Sequence, residues 1–148
     1  MVVRNRASIR QRRGWSLVEV VVVVTMMAIL VSLSVPIFRR ALEQAQADIA
    51  AANLRAVWSA ERIYWLENHV YSSDLNELQA LGLLDPALLS SSSVYVYQLQ
   101  STSATAFSAT ASRTGSTMWS GTLSVDQSGN FSGAIMAPGQ TTITPGFQ

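Results

Sequence analysis

An α+β fold, with a long N-terminal helix ahead of a small antiparallel sheet of about four strands, is predicted by three features of the sequence. Nineteen uncharged residues run from Val20 to Phe38. Apolar residues then recur at three- and four-residue steps from Arg39 to about Asn68. After the Ser90–Ser93 run the period of the pattern changes to two. A chain of 148 residues allows one domain with a modest core.

The uncharged run comes first. At about 1.5 Å per residue it spans roughly 29 Å as a helix, close to the ~30 Å hydrocarbon thickness of a bilayer. Five arginines (Arg4, Arg6, Arg10, Arg12 and Arg13) precede it, and Arg39 and Arg40 follow it. The positive-inside rule therefore places the N-terminus in the cytoplasm and the C-terminal hundred-odd residues outside. A segment 1–14 with no acid stands against a remainder with five arginines and nine acids, net −4. With such a leader removed the working protein is acidic, so no nucleic-acid partner is expected.

Residues 39–68 read as an amphipathic extension of the same helix. Leu42, Ala45, Ile49, Ala52, Ala56, Ala60 and Ile63 form its apolar stripe, and neither Gly nor Pro interrupts it. That stripe is expected to bury itself on the sheet. The opposite face carries Arg39–Glu43 at an i,i+4 spacing, and Trp58, Arg62 and Trp65. The two tryptophans are read as cover for the sheet, with a stacked cation–π interface as the alternative. Ser73-Asp74 ahead of Leu75, Leu78 and Leu81 predicts a short capped helix stopped by Gly82, and Asp85-Pro86 a turn. Candidate strands are 94–99, 104–111, 118–125 and 131–136, the last two joined by a tight turn at Ser128-Gly129-Asn130. Thr, Ser and Ala on one face suit a sheet with one buried side. The tail after Pro138 is expected to be irregular.

Few residues could carry chemistry. There is no cysteine, which excludes disulfides, thiolate zinc sites and Cys nucleophiles, and there is no lysine. His69 stands alone without a triad arrangement and is read as a helix-end residue. Asp126-Gln127-Ser128-Gly129-Asn130 faintly resembles a calcium loop but lacks the further carboxylates such a site needs, so a plain hairpin is expected and no cofactor is assigned. No phosphate loop or paired-carboxylate constellation is visible, and the chain is not expected to be an enzyme.

Glu19 is the anomaly in the N-terminal segment, because a charge inside an inserted helix costs roughly 2.5–3.5 kcal/mol. It sits in the string Gly14-Trp15-Ser16-Leu17-Val18-Glu19, with Ala28-Ile29-Leu30 and Pro36 following without a gap. This string resembles the prepilin peptidase site of type IV pilins and type II secretion pseudopilins. In that family a basic leader ends in Gly and a Phe-Thr-Leu-aliphatic-Glu string precedes the apolar run. The resemblance covers nearly the whole chain and is specific over residues 10–38. Trp15 and Ser16 depart from the usual Phe and Thr.

The resemblance implies a pilin-like fold and a three-part organisation: a leader 1–14 removed by prepilin peptidase, a transmembrane and filament-core helix 15–38, and an exported head 39–148. It implies cleavage after Gly14, Trp15 as the new and N-methylated terminus, and Glu19 paired with the Trp15 amine of a neighbouring subunit. Pro36 marks where the helix kinks or unwinds as subunits leave the bilayer. The implied partners are prepilin peptidase, the inner-membrane assembly machinery, and copies of this and other pilin-like subunits. The implied location is the bacterial inner membrane, then a periplasmic or cell-surface filament. A type IV pilus or a secretion pseudopilus is the leading reading. A DNA-uptake pilin and an uncleaved, membrane-anchored binding domain stay open beside it.

Overall fold

The structure, a computed structural model, describes residues 14–90 and 94–145. The basic leader up to Arg13, Ser91–Ser93 within the serine run, and the last three residues of the tail lie outside the described residues. The chain falls into two compact units, one ending at Arg39 and one beginning at Arg40.

In the first unit, α1 (Leu17–Asn68) begins and carries an apolar stretch long enough to cross a membrane, none of it buried inside the structure. Val18, Val21, Met26, Ile29, Leu30 and Ile37 are all exposed. Pro36 lies inside the helix, which runs through it without interruption. Pro36 has no N–H, so the carbonyl of Ser32 loses its intrahelical donor. The hydroxyls of Ser32 and Ser34 donate elsewhere, to the carbonyls of Ile29 (2.7 Å) and Leu30 (2.9 Å), one turn back.

The second unit packs the remaining half of α1 against a four-stranded antiparallel sheet in the order β1-β2-β3-β4. The strands are β1 (Tyr95–Thr102), β2 (Phe107–Arg113), β3 (Ser120–Asp126) and β4 (Phe131–Met136). All four predicted strands are present, with β2 starting three residues late and β1 extending three residues further. The register of β1 on β2 shifts between Leu99 and Ser101, and this irregularity lengthens β1. Tyr97, Ala111 and Leu123 line the core face, with Val125 and Ile135 beside them. The other face carries hydroxyls that bond across strands: Ser112 to Thr122 at 3.3 Å and Ser124 to Ser132 at 2.7 Å. A one-sided sheet follows from that alternation. Gly133 has φ +97, and a Cβ there would run into the carbonyl of Thr122, so β4 approaches β3 where no side chain fits. The tail is mostly irregular as expected, but Ile143 pairs with Ile135 in a single bridge and is buried.

Between helix and sheet, α2 (Leu75–Ala80) is capped by Asp74, whose carboxylate accepts from the Asn76 amide at 2.9 Å. Gly82, at φ +74, follows its end, and a 3-10 turn occupies Pro86–Leu89.

The packing face of α1 differs from the expected one. The buried residues are Glu43, Ala47, Ala50, Ala51, Leu54, Val57, Ala60 and Glu61. Of the predicted stripe only Ala60 is among them. Leu42, Ile49 and Ile63 are 50, 61 and 45% exposed, and Ala45, Ala52 and Ala56 are exposed as well. The reason is physical. Alanines and aliphatics populate both faces of this helix, so the periodicity that identifies the helix does not single out the side that meets the sheet.

Candidate functional site

The site begins where α1 begins. Ser16 precedes the first helical residue, and its backbone N–H donates to Glu19 Oε2 at 3.3 Å. Glu19 stands three residues into the helix, so Ser16-Leu17-Val18-Glu19 forms the carboxylate half of a capping box. The first helical turn leaves its amides without intrahelical partners, and the carboxylate at this end satisfies one of them and favours the helix dipole. The S-x-x-E spacing was in the sequence and carried this signal. Gly14 and Trp15 precede the helix: among the described residues no atom would meet a Cβ at Gly14, and Trp15 is 71% exposed. Gly14, Trp15 and Glu19 thus lie together at an accessible helix start, and Pro36 lies well along the same helix.

The second part of the site is the outward face of α1 in the second unit. Leu42, Ala45, Ile49, Ala52, Ala56, Ile63 and Leu66 are all exposed. Their spacing alternates three and four, with Ser59 at the one polar step, which is the heptad seam of helix-on-helix packing. Such a seam is unusual on a monomer surface, where charged residues normally cover the outer face of a helix.

Among the side-chain contacts that hold this helix half are several whose partners the sequence does not reveal. Glu43 does not pair with Arg39. It is buried and forms a bidentate ion pair with Arg113 of β2, Nε to Oε1 at 2.5 Å and Nη2 to Oε2 at 3.1 Å. Trp58 donates its indole N–H to the carbonyl of Gln127 at 3.1 Å, in the β3–β4 turn. Trp65 donates to the carbonyl of Ala104 at 3.0 Å, in the β1–β2 loop. Arg62 lies over the Trp58 ring, 5.0 Å from its centroid. The tryptophans therefore cover the ends of the sheet, as expected, and also pin its two loops.

The remaining candidates have local structural work. His69 adopts φ +57 at the end of α1, donates its amide to the Trp65 carbonyl at 2.8 Å, and meets the Trp65 ring edge-on. Asp126 Oδ1 accepts from the amides of Ser128 (2.8 Å) and Asn130 (3.0 Å). The Asn130 amide, first, and the other turn donors hold its carboxyl below the usual range. Gly129 completes that turn at φ +82, against the Trp58 ring. Among the described residues, no group of three or more His, Asp or Glu side chains could hold a metal ion.

No protein-family model matches the chain. The chain is 36% identical over 72 residues to the type II secretion system core protein G of Pseudomonas aeruginosa, covering 49% of this chain and 51% of that protein. It is 26% identical over 110 residues to the type IV wide pilus major component PilA4 of Thermus thermophilus, covering 74% and 80%. It is 29% identical over 68 residues to the type IV major pilin protein PilA of Myxococcus xanthus, covering 46% and 31%. The chain thus spans about half the length of the first relative, most of the second and about a third of the third. The likeness is to the type IV pilin-like family. A long N-terminal helix packed on a four-stranded antiparallel sheet is a pilin-like α+β arrangement, and the relatives bear the names of pilus components and of a secretion-system core protein.

Proposed function

We propose that this chain is a structural subunit of a type IV pilus or a type II secretion pseudopilus, cut after Gly14 by prepilin peptidase and polymerised through its N-terminal helix. The observation that carries the proposal is the uncovered apolar surface of α1: the exposed run from Leu17 to Phe38, and the heptad seam from Leu42 to Leu66. Lipid covers the first while the subunit is stored in the membrane, and helices of other copies cover both in a filament. The open surroundings of Gly14 and Trp15 support access by a peptidase. The arginine bias of the leader supports a cytoplasmic N-terminus.

Cleavage creates an α-amine on Trp15 that is positive at neutral pH. In a low-dielectric core that cation needs a partner, and so does Glu19. Pairing the amine of one subunit with Glu19 of the next satisfies both and penalises misregister. In the free chain Glu19 caps its own helix, so its side chain is already oriented at the helix start when a neighbour arrives.

The test uses filaments sheared from the host and a Glu19→Val variant. Intact-mass measurement should find a mature chain beginning at Trp15; one beginning at Met1 or at any other residue overturns the reading. Glu19→Val should be processed and retained in the membrane yet be missing from sheared filaments. Losing one partner of a buried pair costs roughly 3–5 kcal/mol. Wild-type filament yield from that variant removes the pairing role.

A further inference from the structure

Glu61 lies on the buried side of α1, is fully buried, and has no basic partner among the described residues. Its Oε2 accepts from the backbone N–H of Ser72 at 3.0 Å, and its Oε1 has no hydrogen-bond partner among the described residues. Ser72 is itself buried, and its hydroxyl donates to Glu77 Oε2 at 2.7 Å. The other oxygen of Glu77 accepts from the Tyr64 hydroxyl at 2.8 Å. Two carboxyl groups from two helices thus converge on one serine, which lies in the segment that turns the chain from α1 into α2. Tyr71, one residue earlier, stacks on Trp65 and lies 4.8 Å from the Phe107 ring, so the whole turn is docked on the head.

A buried carboxylate with one hydrogen bond and a second carboxylate nearby is poorly compensated, whereas a buried neutral carboxyl is tolerable. We propose that Glu61, Ser72 and Glu77 form an acid-closed latch, in which a neutral Glu61 holds segment 69–74 against α1 and loss of its proton loosens that segment. The groups facing Glu61 are Glu77 from α2 and Tyr64 from its own helix, and neither supplies positive charge.

Burial, first, and the charge of Glu77 push the Glu61 carboxyl up to about 7, against a smaller opposing effect of the Ser72 amide. The folded value lies above the ordinary 4.5, so the folded state binds this proton more tightly than the unfolded one. Stability from this group is therefore complete below about 4.5, declines as pH rises, and is lost above about 7.

The latch is tested on the full chain in detergent micelles. Hydrogen exchange of amides 70–77, corrected for intrinsic rates, should accelerate on the order of tenfold between pH 5 and pH 8 relative to the sheet amides. Glu61→Gln keeps an acceptor for the Ser72 amide and removes the charge, so its exchange in that segment should not change with pH. An equal pH response in wild type and Glu61→Gln overturns the proposal. Carbon-13 titration of the wild-type Glu61 carboxyl decides independently of how the variant folds. A wild-type midpoint above 6 supports the latch, and a midpoint below 5 overturns it.

Discussion

Glu43 and Glu61 stand eighteen residues apart on α1, five full turns at 3.6 residues per turn, and so share its buried face. Each faces the cost of a desolvated charge, and each meets it differently. Glu43 takes Arg113 as a bidentate partner across the interface between helix and sheet. Glu61 meets no cation among the described residues, and burial pushes its carboxyl up instead. Glu43→Ala leaves the Arg113 guanidinium, only 10% exposed, without its carboxylate, and should cost roughly 3–5 kcal/mol in urea unfolding. Replacing both partners by apolar residues of similar volume, as in Glu43→Met with Arg113→Leu, should restore most of that loss. Neither burial was legible in the sequence. Arg39 sits one turn before Glu43 and offered a local partner, while Arg113 lies seventy residues away in a strand whose register no local pattern reveals.

At the scale of elements, the hairpins depend on the helix as much as on their own turn residues. Asp126 and Gly129 shape the β3–β4 turn, but the indole of Trp58 ties it down through the Gln127 carbonyl. Trp58→Phe keeps the ring's packing and loses that bond, so it should cost about 1 kcal/mol by thermal or urea unfolding, with faster exchange of the Ser128 and Asn130 amides. Unchanged exchange at the turn would show that Asp126 holds it unaided. The elements themselves were largely readable. The four strands, the Asp74 cap, the Gly82 stop and the Ser128-Gly129-Asn130 turn all depend on local periodicity and turn chemistry. The orientation of α1 was not readable, because Ala47, Ala50, Leu54 and Val57 on one face and Leu42, Ala45, Ile49 and Ile63 on the other give nearly equal apolar stripes. Glutamates at positions 43 and 61 further made the true core face look like the solvent face. At the N-terminal site the motif itself was legible, and its S-x-x-E spacing already carried the bond between Glu19 and the Ser16 amide.

For the molecule as a whole, the head should fold without residues 1–38, since its core is built from the Ala47–Ala60 side of α1, α2 and the inner face of the sheet. The truncated protein should unfold cooperatively, yet its uncovered Leu42–Leu66 seam should make it self-associate as concentration rises. Sedimentation of that protein against one carrying Ile49→Glu and Ile63→Glu separates the two effects: the charged variant should remain monomeric with similar stability. A truncated chain that fails to fold would mean that the head needs the segment before it. The two-faced character of α1 also bears on how such a chain can diverge over time. A helix with a single buried side can drift on the other, but under the proposed function a change at Ile49 is expected to disturb assembly and a change at Leu54 to disturb the head. The hydroxyl-bearing outer face of the sheet, with Ser112, Thr122, Ser124 and Ser132, serves neither role. Lineages descended from this protein are therefore expected to hold the helix nearly fixed around its whole circumference, and to vary most across the outer face of the sheet.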